Sequence, residues 1–268
     1  MSELFRALGA LVEAPHPSLA PIACALDLGP LPTRAEHTEA IVFSLHPYAS
    51  VYLGTEGMMG GEARDRVAGF FRAIGATVSK EPDHLAELLA SYAAMSERED
   101  LPNVQKALFW EHLMSFLPAY ASAMQALGID FYSRWATLLS EALRSEAARL
   151  GPPDRLPLHF AFTMALSASD DPIAGILAPV RSGMILVRRD VLRMARELGL
   201  GARQGERRWA LSAMLSLDAP SVLSWLSAEA RSWAVRHREA DSLAVWAERA
   251  ERTSDVLATF AREVHHVC

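Results

Sequence analysis

Between residues 106 and 127 the side chains Leu108, Phe109, Leu113, Phe116, Leu117, Tyr120 and Met124 recur at steps of three and four along most of the stretch. A helix of 3.6 residues per turn gathers that spacing onto one face, whereas a strand would scatter it over two. The rhythm returns as Val67, Phe70, Phe71 and Ile74, then as Leu85, Leu88, Leu89, Tyr92 and Met95. It continues as Phe131, Trp135, Leu138, Leu139 and Leu143, and no two-residue alternation is sustained anywhere. Each stripe must be buried against another helix, so the sequence predicts an all-α helical bundle. Ala and Leu dominate while Val, Ile and Thr are comparatively sparse, which favours helices as well.

Interruptions divide the pattern. "LGTEGMMGGE" (53–62) reads as a glycine-rich turn and "SEREDLPN" (96–103) as a polar linker. "LGPPDRLP" (150–157) is the strongest break, because its paired prolines cannot donate helical hydrogen bonds. The expected division is a helical domain over 1–150 and a C-terminal helical region over 151–268. In the latter, "DDPIAGIL" begins with Asp170 or Asp171 as a cap and Pro172 at the first helical position. Further stripes occupy roughly 185–198, 206–217, 219–236 and 240–264.

Several classes are disfavoured. The formal charge is −6, so nonspecific nucleic-acid binding is not expected. The two cysteines, Cys24 and Cys268, form no CxxC pair, which fits a reducing compartment. "MSELFRALGALVEAPHP" lacks a basic start followed by an apolar core, so it does not read as an export signal. No apolar run approaches about 20 residues, and stable membrane insertion is not expected. A cytoplasmic chain follows as the expectation.

One stretch stands apart. "EPDHLAELL" (81–89) sets Pro82, Asp83 and His84 ahead of an apolar helical stripe, where a cap would need only one of them. Pro82 suits a first helical turn, and Asp83 there meets the positive end of the helix. An imidazolium is disfavoured at that end, so His84 should prefer neutrality unless Glu81 and Asp83 offset the dipole. Acids beside a donor-capable ring could receive a cationic peptide; they could equally be an ordinary cap with a surface histidine.

This stretch resembles the central motif of the TorD/DmsD/NarJ family of redox-enzyme maturation chaperones, and its surroundings are similar in the same order. They are "HPYASVYLG" (46–54), "RVAGFFRAIG" (66–75), "WEHLMSFLPAY" (110–120) and "FYSRWATLL" (131–139), so the resemblance covers about residues 38–147. Pro82 directly precedes Asp83, closer to the nitrate-reductase branch. The resemblance implies an all-helical cytosolic chaperone, without cofactor or metal of its own, that is not an enzyme. Its implied partner is the apo catalytic subunit of a molybdopterin oxidoreductase, held through its N-terminal twin-arginine leader until the cofactor is inserted. Asp83 and His84 are then the expected leader contacts, with Glu81 and Pro82 shaping the turn. Tyr48, Tyr52, Phe70, Phe71 and Trp110 are candidate groove walls, and His112 could approach the site. The first hundred residues hold about twice as many acids as bases, in keeping with a basic ligand. The chain could be a monomer or a homodimer.

Two other readings start from the second half. "DVLRMARELGLGARQGERRWAL" (190–211) has the cadence of a helix-turn-helix, with Ala195, Gly199 and Leu200 at the turn. Arg188, Arg189, Arg193, Arg196, Arg203, Arg207 and Arg208 make it basic, which would suit a DNA-binding regulator, although Glu197 and Glu206 dilute the charge. Metal chemistry could draw on Asp170 with Asp171, or on His265, His266 and Cys268, but capping explains the first and a chain end the second. No GxxxxGK[ST], GxSxG or HExxH motif is present.

Overall fold

The computed structural model describes residues 1–98, 100–161, 166, 171–201 and 205–267, with side chains through Val264. Among the described residues there is no strand. The extended pairing is a single antiparallel bridge between Tyr48 and His84. Two compact units emerge, residues 1–54 with 59–161, and residues 55–58 with 162–268.

The first unit contains α1 (Ser2–Ala10), α2 (Ala20–Ala25), α3 (Arg34–His37), α4 (Ala49–Leu53) and α5 (Gly61–Ala73). It continues with α6 (Leu85–Ser96), α7 (Pro102–Ala107), α8 (Leu117–Ala126), α9 (Asp130–Leu150) and α10 (Leu158–Ala161). α1 packs on α6, and α8 packs on α9. A Cβ on Gly9 would meet the Ala86 carbonyl at 3.1 Å and Leu89 Cβ at 3.2 Å, so the missing side chain is what lets α1 lie this close to α6. Phe5 meets Tyr92 edge-on at 5.0 Å, and the Trp135 indole donates to the Leu8 carbonyl at 3.0 Å. The Tyr92 hydroxyl donates to buried Glu146, which Arg149 also binds.

The stripe read over 106–127 is buried at all seven of its positions, yet it is not one helix. α7 runs into a π-helical stretch, Leu108–Leu113, and α8 begins only at Leu117. Pro118 explains the break, since it cannot donate to the preceding turn and is tolerated only at a helix start. The wider π turn resets the helical phase, so the apolar face stays inward across the interruption.

The second unit contains α11 (Pro172–Leu177), α12 (Pro179–Ser182), α13 (Arg188–Glu197), α14 (Arg207–Glu239) and α15 (Ala244–Val267). α14 and α15 pack along each other. α14 is bent at Asp218, which leaves helical geometry at φ −152° and ψ 77°. The Asp218 carboxylate accepts the Ser221 N–H at 3.1 Å, and Pro220 sits in the first turn of the renewed helix. In the core, the His237 ring lies between Trp233 and Trp246, with centroids 5.3 and 5.4 Å away, and donates to the Gly183 carbonyl at 2.7 Å. Buried Glu229 is neutralised by Arg193 at 2.8 Å and Arg236 at 3.3 Å.

Candidate functional site

The turn ahead of α6 is built by backbone pairing. The Leu85 N–H donates to the Pro47 carbonyl at 2.7 Å, and the Ala49 N–H donates to the Asp83 carbonyl at 2.9 Å. These bonds hold His84 in extended geometry, φ −67° and ψ 136°, so α6 cannot begin before Leu85. Pro82 and Asp83 therefore lie ahead of the helix rather than in its first turn, which corrects the expectation. His84 is itself the cap: its Nδ1 accepts the Ala86 N–H at 3.3 Å. An accepting Nδ1 must be unprotonated, so the ring proton resides on Nε2 in this arrangement.

Asp83 points inward. The residue is 1 % exposed, and its Oδ2 accepts the Ser50 N–H at 3.2 Å, capping α4. One turn thus caps two helices, α4 through a carboxylate and α6 through an imidazole. Pro82 is buried beside it.

The bridge also sets Tyr48 against His84, with ring centroids 5.0 Å apart in an edge-to-face arrangement. The Tyr48 hydroxyl donates to Glu81 at 3.0 Å; burial and then this bond push the phenol up to about 12, so it remains a donor. Glu13, from the chain just beyond α1, places a carboxylate oxygen 3.7 Å from the His84 ring. Glu13, Glu81, His84, Glu87 and Lys80 line a cleft of about 480 Å³. Arg6 lines it too but is already engaged by Glu3 and by Glu97 at 2.8 Å. What remains is an open, carboxylate-rich pocket around an imidazole.

The other expected residues do not join this cluster. Tyr52 belongs to the core: its ring stacks on Phe116 at 5.6 Å and its hydroxyl donates to the His46 carbonyl at 2.9 Å. It lines neither cleft, because α4 turns it inward, and Phe71 is likewise buried. Trp110 and His112 line a second cleft in the same unit, of about 710 Å³, with Phe70, Arg66, Lys106 and Arg155. Pro153 and Pro157 form part of its wall, and the Trp110 indole donates to the Gly151 carbonyl at 3.1 Å. His112 lies 3.4 Å from His159, and burial holds both rings neutral, down to about 3. Glu111 accepts the Leu158 N–H at 2.7 Å, and its burial pushes its carboxyl upward.

Sequence reading missed Glu13, Glu87 and Lys80 as neighbours of His84. Glu13 is some seventy residues away in sequence, and nothing but the packing of α1 on α6 brings it near. In the second unit Arg193 binds Glu229 and lies over the Trp225 ring, Arg207 binds the Leu186 carbonyl, and Arg208 binds Asp171. These contacts occupy cations on which the DNA-binding reading drew; Arg203 lies outside the described residues. Asp171 caps α11 by accepting the Ala174 N–H at 3.0 Å. Asp170, Cys268 and the side chains of His265 and His266 lie outside the described residues.

Against this geometry stands a comparison with family models. Residues 35–122 match the family described as nitrate reductase delta subunit, a family of molybdoenzyme maturation chaperones. This segment is similar to that family. The match spans about a third of the chain and contains α4, α5, α6 and the Tyr48–His84 bridge. The nitrate reductase delta family works with molybdoenzyme catalytic subunits and is not catalytic. A comparison with the curated proteins found no match. No described helix is long and apolar enough to cross a membrane.

Proposed function

We propose that this protein is a cytoplasmic chaperone for a molybdopterin oxidoreductase. It binds the twin-arginine leader or the apo form of the catalytic subunit and releases it after cofactor insertion, before export. Residues 1–150 act as the chaperone domain, with 151–268 as a helical extension. The observation that carries this reading is the acidic cleft, where Glu13, Glu81 and Glu87 surround His84 within the family segment's own turn or beside it. Guanidinium groups of a leader pair with carboxylates through charge-assisted, often bidentate bonds, and two adjacent arginines call for more than one acid. Glu81, Tyr48 and His84 face the ligand in this scheme. Pro82 and Asp83 act as positioning residues that fix the turn, and Trp110 and His112 border the second cleft, which accepts the apolar part of the leader.

Calorimetry with a synthetic twin-arginine leader of a molybdopterin oxidoreductase tests this. Glu13→Gln combined with Glu81→Gln should weaken binding by about tenfold or more, roughly 1.4 kcal/mol or above. Raising the salt concentration should weaken wild-type binding and affect the double variant less. Equal affinity and equal salt dependence in both proteins would remove the cleft from the leader site.

A further inference from the structure

The second unit carries a groove that the proposed function does not use. It lies between the renewed part of α14 and α15, has a volume of about 940 Å³, and ends against Leu198. Small side chains dominate its lining: Ser224 and Ala228 from α14, Ala258 and Ala261 from α15. Trp225 forms its one large wall and is fixed in place, because its indole N–H donates to Glu197 at 2.6 Å and the Arg193 guanidinium lies 4.7 Å above the ring.

Two charges mark the groove, and both are positive. Arg231 and Arg262 are exposed, line it, and form no ion pair among the described residues. Among the described residues no acid lines it, in contrast to the pocket around His84. On α14, Ser224, Ala228, Arg231 and Val235 follow helical spacing and share one face, and Val235 is 47 % exposed, so the apolar strip runs on past the arginine.

We propose that this groove docks an acidic amphipathic helix of a partner protein. The small residues let a helix backbone approach closely, and a ridge of its apolar side chains fills the furrow beside Trp225. Its carboxylates meet Arg231 and Arg262, which gives the helix its register. The lining elements are helical, so an extended peptide finds no edge to pair with there. This proposal does not depend on where the leader binds.

A displayed library of amphipathic helices about 18 residues long, or five turns, with randomised polar positions, is selected on the full chain. It is depleted on Ala228→Trp, which fills the groove from an exposed position. Enriched helices should be acidic and should bind Arg231→Glu/Arg262→Glu at least about tenfold more weakly. Changing their glutamates to lysines should restore binding to that variant. Circular dichroism matching the wild type shows that both variants are folded. Enrichment of basic or neutral helices, undiminished binding to Arg231→Glu/Arg262→Glu, or no enrichment at all overturns the proposal. Sedimentation of the full chain alone is the second arm: a dimer that Arg231→Glu/Arg262→Glu dissolves would assign the groove to a second copy instead.

Discussion

Replacing Asp83 separates a ligand contact from a positioning residue. Its carboxylate is buried and accepts the Ser50 N–H, while its carbonyl closes the bridge to Ala49. Asp83→Ala removes the side-chain acceptor and strands a buried N–H at the start of α4. Loss of a capping oxygen costs about 0.5–2 kcal/mol, and an unsatisfied buried donor costs about 1–3 kcal/mol. Both figures describe the same lost bond, so they overlap rather than add, and the expected loss is about 1–2 kcal/mol. Asp83→Asn keeps an oxygen at the position of the acceptor and gives up only its charge, for a loss of about 1 kcal/mol or less. Urea unfolding measures both values, and calorimetry with the leader peptide in the same buffer measures affinity. Asp83→Asn should bind the leader within about twofold of the wild type, because a buried carboxylate touches no ligand. Asp83→Ala should weaken both stability and binding as the Tyr48–His84 bridge loosens. An Asp83→Asn protein of wild-type stability whose affinity falls tenfold would refute this reasoning and place the carboxylate on the leader. Wild-type stability in Asp83→Ala would refute the capping role.

Two more predictions concern stability. His112 and His159 titrate at about 3 in the folded protein, whereas unfolded histidine titrates near 6.5. Below pH 6.5 the unfolded chain gains protons that the folded rings refuse, so stability present above that pH drains away toward pH 3, by about 1.4 kcal/mol per pH unit for each ring. Urea unfolding from pH 6 to 4 should show a flatter slope in His112→Gln/His159→Gln, and an unchanged slope would contradict the burial argument. Gly183 has φ +71°, and a Cβ there would press on the Ala250 backbone and stand 2.8 Å from the Trp246 carbonyl. Gly183→Ala should cost about 2–5 kcal/mol from strained backbone and overpacking together; a thermal melt matching the wild type would contradict this.

The all-α class was readable from the sequence because helical periodicity is a local property: the chain's own geometry decides which residues share a face. The stripes at 206–217 and 219–236 meet at Asp218, the residue where α14 bends, since Asp218 and Pro220 carry their own cap and start signal. The family segment was also legible, as its motifs are contiguous. The direction in which a side chain points was not. "EPDHLAELL" could not reveal that Asp83 turns inward, because its acceptor role belongs to Ser50, thirty-three residues earlier, and exists only once the bridge forms. Tyr52 was indistinguishable by type from Tyr48, and packing alone put one in the core and the other beside His84. Composition and spacing therefore determined the all-α class and which residues of the striped segments face the core. The acidic cleft needed α1 to bring Glu13 onto α6, and that depends on the gap at Gly9, a contact between elements that local pattern does not encode.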